Sequence, residues 1–210
     1  MWIKICGITS QDDAEVVAGF GPDAIGFVFY PPSPRHVTGE MARSIAEVLP
    51  AGIRKVGVFV DPDWKEVERL VQMVPLDMIQ WHGDIVTQGL QAKLGNLGIP
   101  WIEVKKIAAE ARPSSLSINP SAQASYLLVE GFSSKSPGGN AHAWDHSLVS
   151  GIPFPVPLIL SGGLNDTNVY DAIKSVHPFG VDVSSGVESS PGKKSYDRLS
   201  RFFSEVKRYE

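Results

Sequence analysis

The most constraining feature of this sequence is a short apolar run followed by a turn and an amphipathic segment, repeated eight times in 210 residues. Such runs predict buried parallel strands, and the segments between them predict crossover helices. The predicted strands are Trp2–Cys6, Asp23–Tyr30, Arg54–Val60, Leu76–Trp81, Ile99–Ile107, Ser125–Glu130, Pro157–Ser161 and Phe179–Val183. Eight units predict an α/β fold, a single-domain (βα)8 TIM barrel over residues 1–210, near its lower size limit. The alternative is an open doubly wound sheet, which needs fewer strands and a glycine fingerprint that is absent after the first strand.

Composition limits the partners that the chain can take. A net charge of −4 gives no attraction to nucleic acid or to an anionic membrane, so neither is an expected partner. Cys6 is the only cysteine, so no internal disulfide is possible and a reducing compartment is expected. The sequence has no apolar run long enough to span a membrane and no signal peptide before the first strand. We therefore expect a cytoplasmic protein.

Two turns late in the sequence predict a phosphate site. Strand seven runs into Gly162 and Gly163, and strand eight runs into Ser184, Ser185 and Gly186. Glycines let a ligand approach the backbone, and amides at the start of a helix attract anions. In (βα)8 barrels the loops after strands 7 and 8 frequently hold a phosphate. Either turn alone is better explained as an ordinary βα turn, but the pair in this order predicts a small phosphorylated ligand.

Barrel enzymes carry their functional side chains at the C-terminal ends of strands and just beyond them. The polar and reactive residues at those positions are Cys6, Arg35, Asp61, His82, Lys105, Glu130, Ser161, Asp182, Ser184 and Ser185. Cys6 and Glu130 are best suited to move a proton, because a thiolate forms readily near a helix N-terminus and a partly dry carboxyl stays protonated. The alternatives are a small core residue for Cys6 and a salt bridge at the barrel rim for Glu130.

Arg35 and His82 are candidate ligand-binding residues. Arg35 ends a loop stiffened by three prolines, and its guanidinium presents a fork that fits a carboxylate. The alternative for Arg35 is a solvated loop arginine. His82 follows strand four and either donates to a ligand or holds its own loop by a backbone hydrogen bond.

Two further pairs are weaker candidates. His142 and His146 have the i, i+4 spacing of metal ligands, but the sequence offers no further ligands for them, so no metal is expected. Lys193 and Lys194 are expected to be a solvated pair, with the alternative that one of them reaches a bound phosphate.

Six motifs, in order along nearly the whole chain, carry a resemblance to a known family. They are Lys4-Ile-Cys-Gly-Ile-Thr9, Gly26-Phe-Val-Phe29 with Ser33-Pro-Arg35, Val56-Gly-Val-Phe-Val-Asp61, Gln80-Trp-His-Gly83, Ser161-Gly-Gly-Leu164 and Val181-Asp-Val-Ser-Ser-Gly-Val-Glu188. No single motif is specific, but together they resemble phosphoribosylanthranilate isomerase of tryptophan biosynthesis.

The resemblance implies an Amadori rearrangement of N-(5-phosphoribosyl)anthranilate to 1-(2-carboxyphenylamino)-1-deoxyribulose 5-phosphate, without metal or cofactor. It implies that Cys6 is the base that takes the proton from C2 of the ribose and that Arg35 faces the anthranilate carboxylate. Lys4, His82 and Asp182 are then expected to contact the substrate. The implied phosphate site comprises Gly162, Gly163, Ser184 and Ser185, with Gly186 beside them. The sequence fits a monomer or a homodimer.

The sequence departs from the family pattern around one loop. The family's general acid is usually an aspartate that ends strand six, and here that position is Glu130, one methylene longer. The next loop reads Gly138-Gly-Asn-Ala141 where the family has Gly-Gly-Thr-Gly, and Trp144-Asp-His146 replaces Phe-Asp-Trp. We expect Glu130 to be the acid that protonates the ribose ring oxygen.

Two other functions are open from the residues alone. One is another phosphate-binding barrel enzyme, such as indole-glycerol-phosphate synthase or a sugar-phosphate epimerase, although a metal-dependent epimerase needs several His and Asp ligands at strand ends. The other is a non-catalytic barrel that binds a phosphorylated ligand, and the altered loop is its only support.

Overall fold

Eight parallel strands close into a barrel in the computed structural model, which describes residues 1–83, 86–108, 118–132 and 144–209. The strands are β1 (Trp2–Cys6), β2 (Ala24–Phe29), β3 (Arg54–Val60), β4 (Met78–His82), β5 (Trp101–Ala108), β6 (Tyr126–Phe132), β7 (Leu158–Leu160) and β8 (Gly180–Val183). Each strand pairs with the next in the chain, and β8 pairs with β1 to close the ring, with Asp182 opposite Lys4. The predicted (βα)8 barrel is confirmed.

The helices pack on the outside of this barrel. Those in the described residues are α1 (Gln11–Ala18), α2 (Gly39–Glu47), α3 (Trp64–Met73), α4 (Gln88–Asn96), α5 (Val169–Val176) and α6 (Tyr196–Tyr209), with short 3-10 turns at His146–Val149 and Ser185–Val187. Side-chain oxygens of Ser10 and Thr38 cap α1 and α2 by accepting from the backbone N–H three residues on. No described helix is long and apolar enough to cross a membrane.

Alternation along the strands sorts side chains between the barrel interior and the layer beneath the helices. One buried interior cluster consists of Trp2, Ala24, Val56, Met78, Ile102, Val104, Leu128 and Ile159. The polar side chains of Lys4 on β1, Gln80 on β4 and Asp182 on β8 are also buried. Lys4 and Gln80 each come two residues after a member of this cluster, Trp2 and Met78. Cys6 follows at the end of β1, packed with Val28 and Val58. The interior therefore changes from apolar to polar towards the C-terminal ends of the strands.

A small antiparallel hairpin follows the barrel's last strand and was not predicted. It consists of β9 (Glu188–Ser190) and β10 (Lys193–Lys194), joined by a turn in which Gly192 has a φ of 80°. Lys193 is exposed, but Lys194 is only 5% exposed. The predicted solvated pair is therefore wrong for Lys194, because the hairpin folds that side chain back under the end of the barrel.

Candidate active site

A cavity of about 480 Å³ opens at the C-terminal ends of the strands. The predicted site residues that line it are Cys6, Arg35, His82, Glu130, Gly162, Gly163, Asp182, Ser184 and Ser185. The structure brings these together although they come from seven different strands or loops. Lys4 and Gly186 are not on the cavity wall. Lys106 lies on it although Lys105 was the predicted strand-end residue, because the period of two along β5 turns Lys106 and Val104 inward.

Cys6 lies at the end of β1 and is 8% exposed. Its close neighbour is Gly26 on β2, where an added Cβ would stand 2.8 Å from the sulfur. Burial raises the pKa of the Cys6 thiol, and Asp182 adds to the rise, whereas Lys4 and Lys194 act in the opposite direction. Burial outweighs the cations, so the expectation that this position favours the thiolate is wrong.

Lys4 lies beneath the cavity in an ion pair with Asp182. Its Nζ is 2.8 Å from Asp182 Oδ1, and the Lys4 side chain is fully buried. Burial alone would lower the pKa of Lys4, but Asp182 and Cys6 raise it above its ordinary value, so the lysine stays cationic. Ser161 Oγ donates towards the other carboxylate oxygen of Asp182 at 3.3 Å. Lys4 is thus a buried counter-charge to Asp182 and does not line the cavity, and its predicted contact with the substrate stays a prediction.

Glu130 and His82 face one another across the mouth of the barrel. His82 Nδ1 is 3.5 Å from Glu130 Oε1, and His82 Nε2 is 2.7 Å from the amide nitrogen of Gln80. The ring of His82 therefore contacts Gln80 through Nε2 and faces Glu130 with Nδ1. Gln80 is 2% exposed and was not predicted, although its spacing of two residues from His82 puts both side chains on one face of β4.

This arrangement sets the charge of Glu130. Burial raises the pKa of its carboxyl, but His82, Lys106 and Lys4 together lower it below its ordinary value. The prediction that partial burial keeps this group protonated is therefore wrong, because the neighbouring side chains outweigh burial. The resting site holds a proton on Cys6 and a negative charge on Glu130.

Arg35 is 8% exposed, so the alternative of a solvated loop arginine is wrong. Its Nε and Nη2 donate to Glu188 at 2.9 and 2.6 Å. Gly7 makes room for this side chain, since an added Cβ there would lie 2.6 Å from Arg35 Cδ. Only one edge of the guanidinium is used by Glu188, so the edge formed by Nη1 and Nη2 can still bind a carboxylate.

The two glycine turns pack closely against their surroundings. Gly162 and Gly163 have φ values of 87° and 70°, which other residues rarely adopt. An added Cβ on Gly162 would stand 2.7 Å from the backbone nitrogen of Gly131. Gly186 lies away from the cavity wall, and a Cβ there would overlap the carbonyl oxygen of Leu164. Gly186 therefore allows the two turns to approach each other closely, and its predicted contact with phosphate stays a prediction.

The residues that depart from the family pattern support the turn after β7. Trp144 Nε1 donates to the carbonyl of Ser161 at 2.9 Å, and His146 Nε2 lies 3.1 Å from the carbonyl of Gly162. Burial lowers the pKa of His146, so the neutral ring donates from Nε2. The altered loop at 138–141 lies outside the described residues.

No metal-binding cluster of three or more His, Cys, Asp or Glu side chains occurs in the described parts of the chain. His146 faces Gly162, and His142, four residues before it, lies outside the described residues.

Comparisons with known proteins agree with this geometry. Residues 3–205 match the family model of N-(5'-phosphoribosyl)anthranilate (PRA) isomerase. The isomerase of that name from Thiobacillus denitrificans is 39% identical over 205 residues, covering 98% of this chain and 97% of the relative. A crystal structure of phosphoribosyl anthranilate isomerase in complex with reduced 1-(o-carboxyphenylamino)-1-deoxyribulose 5-phosphate has a TM-score of 0.81 at 34% identity, covering 99% of both chains. Monomers of the dimeric Thermotoga maritima isomerase have a TM-score of 0.79 at 34% identity, again over 99% of both chains.

Proposed function

The chain belongs to the N-(5'-phosphoribosyl)anthranilate isomerase family and is an isomerase of tryptophan biosynthesis, and on that premise we propose how its residues carry out the rearrangement. Glu130 is the general acid that protonates the ribose ring oxygen, and Cys6 is the general base that takes the proton from C2. No metal or organic cofactor takes part in this scheme.

One observation carries the proposal. Cys6 on β1 and Glu130 on β6 line the same cavity, whose wall also includes Arg35 and the turns after β7 and β8. The substrate has a carboxylate on its aromatic ring and a phosphate at the other end of its ribose. We place the carboxylate on the free edge of Arg35 and the phosphate at the two turns, with Ser184 and Ser185 as hydroxyl donors. The ribose then spans the space between the acid and the base.

The proposed steps balance in atoms and charge. Glu130 gives its proton to the ring oxygen as the bond from that oxygen to C1 breaks, and the nitrogen lone pair forms a C1=N double bond. Cys6 thiolate then removes the proton from C2, and the electron pair of that bond neutralises the iminium as an enolamine. Tautomerisation of the enolamine moves the proton of the C2 hydroxyl to C1 and yields the ketose. Net transfer of a proton from Cys6 to Glu130 then restores the starting state of the acid and the base. Asp182, fixed by Lys4, lies beside the reacting sugar.

The reacting state is the reverse of the resting state. The acid must carry the proton and the thiol must lose it, whereas the surroundings raise the pKa of Cys6 and lower that of Glu130. The population of the reacting state follows a bell-shaped curve in pH. Its acid limb belongs to the group of lower pKa, Glu130, and its alkaline limb to the group of higher pKa, Cys6.

The test of this function is a direct assay. The purified protein should consume N-(5-phosphoribosyl)anthranilate, which is followed by loss of the substrate's fluorescence, after treatment with a chelator as well as before. A protein that binds reduced 1-(o-carboxyphenylamino)-1-deoxyribulose 5-phosphate but never turns over the substrate would instead be a non-catalytic binding barrel.

We also propose that the enzyme works in the cytoplasm, which its single cysteine supports, as a monomer or a homodimer. The Thermotoga maritima relative is described as dimeric. Light scattering of the purified protein distinguishes the mass of one chain from that of two, and cell fractionation checks the compartment.

A further inference from the structure

Two buried charged residues behind the cavity wall are not used by the proposed mechanism. Lys194, on β10, is 5% exposed, and Glu188, at the start of β9, is 4% exposed. Neither lines the cavity, yet both contact residues that do. Burial of charged groups is costly, so each must be compensated by close partners.

The ammonium of Lys194 is fully satisfied by three acceptors. Its Nζ is 2.6 Å from the carbonyl oxygen of Cys6, 3.3 Å from that of Ser184 and 2.8 Å from Glu188 Oε1. Burial lowers the pKa of Lys194, and Glu188 and Cys6 act in the opposite direction. The three acceptors match the three hydrogens of an ammonium, as the charged form requires. Ser184 Oγ also donates to the Cys6 carbonyl at 3.0 Å. Lys194 therefore joins the end of β1, which carries the base, to the turn after β8, which carries the phosphate site.

Glu188 extends this connection to the carboxylate anchor. One of its oxygens accepts from Lys194, and the carboxylate as a whole accepts from Nε and Nη2 of Arg35. Its pKa is lowered below the ordinary value, because Arg35 and Lys194 outweigh the effect of burial. Its backbone carbonyl is held in turn by Arg198 Nη1 at 2.5 Å. Glu188 is thus a fixed carboxylate that orients the guanidinium through Nε and Nη2.

The charges of the group do not cancel. Lys194 and Arg35 carry two positive charges against one negative charge on Glu188. Arg35 is the member on the cavity wall, so the surplus positive charge is presented there. An anionic ring substituent bound at Arg35 would neutralise it.

We propose that Lys194 and Glu188 are positioning residues of the isomerase. Lys194 fixes the backbone that carries Cys6 and Ser184, and Glu188 aims Arg35 at the substrate carboxylate. The inference rests on the proposed roles of Cys6 and Arg35.

The first test replaces Lys194 by methionine, with Lys193→Met as the matched control, since Lys193 is the exposed neighbour on the same strand. In Lys194→Met, Glu188 keeps Arg35 as its counter-charge, so the fold is expected to survive. We expect kcat to fall at least about tenfold, because small displacements of a catalytic group have effects of that size. The alkaline limb of the pH profile should also move to higher pH, because one of the cations that lower the Cys6 pKa is lost. Equal kcat values and pH profiles in the two variants would overturn the role of Lys194.

The second test uses Glu188→Gln and two ligands, which keeps the inference testable if Lys194→Met does not fold. The ligands are reduced 1-(o-carboxyphenylamino)-1-deoxyribulose 5-phosphate and the same molecule without its carboxyl group. We expect the variant to bind the first about tenfold more weakly than the unmodified protein does, as for loss of an oriented charged hydrogen bond. Binding of the second should change little. A similar loss for both ligands, or for neither, would overturn the role of Glu188.

These results are distinguishable from failure of the proposed function. If the unmodified protein turns over its substrate and both variants behave like it, only the positioning role is wrong. If the unmodified protein shows no turnover, the proposed function is wrong.

Discussion

Replacement of Glu130 by glutamine tests the acid most directly. The amide has the shape of the carboxylate, and its oxygen can still accept from His82 Nδ1, which lies 3.5 Å from Glu130 in the native protein. The variant should therefore bind reduced 1-(o-carboxyphenylamino)-1-deoxyribulose 5-phosphate as the unmodified protein does. The chemical losses are the negative charge of the carboxylate and the transferable proton.

The size of the effect follows from the resting charges. A positioned acid contributes about 10² to 10⁴ in rate. At neutral pH only a small fraction of the native protein holds the thiolate and the carboxylic acid together, since the pKa of Cys6 is raised and that of Glu130 is lowered. The glutamine variant needs only the thiolate, so part of the loss is recovered. We expect kcat at neutral pH to fall about a hundredfold, the lower end of that range, or about 2.7 kcal/mol.

The pH profile gives a sharper result than the rate at one pH. The native rate should fall at high pH, where both groups have lost their protons. In Glu130→Gln the residual rate should instead rise through the pKa of Cys6 and stay high. Fluorescence assays across the pH range measure both curves, and Glu66→Gln, at an exposed ion pair on α3, is the matched control. A near-native rate with an unchanged alkaline limb would show that the acid lies elsewhere, with Asp182 the next candidate.

Three further predictions concern the base, the phosphate site and the tuning of the acid. Cys6→Ala should keep its melting temperature and lower kcat at least about a hundredfold, and near-native turnover would remove Cys6 from the mechanism. Gly163→Val places a β-branched residue at a φ of 70°, and it should weaken binding of the phosphorylated product more than it lowers the melting temperature. If a phosphate-free analogue binds the unmodified protein as tightly as the phosphorylated one, the phosphate site is misassigned. His82→Gln removes the main group that lowers the pKa of Glu130, while burial remains. The acid limb of the kcat profile should therefore move to higher pH, and an unshifted limb would show that His82 does not tune the pKa of the acid.

The barrel and the contents of its cavity were predictable because they depend on local pattern. Each apolar run fixes one strand, and parallel strands in a closed ring bring their C-terminal ends together, so residues as distant as Cys6 and Asp182 meet at one mouth. The position of Asp182 on the eighth strand was enough to predict this meeting, because in a closed ring the eighth strand lies beside the first. The roles of these residues in catalysis stay predictions.

The charges and supports of the site were not predictable in the same way. The expected thiolate on Cys6 and carboxylic acid on Glu130 followed from position alone, whereas the actual pKa directions depend on burial and on cations from other strands. The residues around Lys194 in the sequence are typical of an exposed lysine, and none of them indicates that its ammonium donates to the carbonyl of Cys6. Gln80 is the one supporting residue that could have been found, because its spacing of two residues puts it on the same face of the strand as His82.

The bond from Lys194 to the carbonyl of Cys6 joins residues 188 positions apart. During synthesis, the end of β1 that carries Cys6 therefore cannot be fixed by Lys194 until nearly the whole chain has been made. An N-terminal fragment that stops before β10 lacks Lys194 and its hydrogen bonds to the carbonyls of Cys6 and Ser184, even where several βα units have formed. Contacts of such long sequence separation are slow to form, because a large loop must be closed first. Acquisition of isomerase activity in refolding should accordingly lag behind the appearance of helical structure.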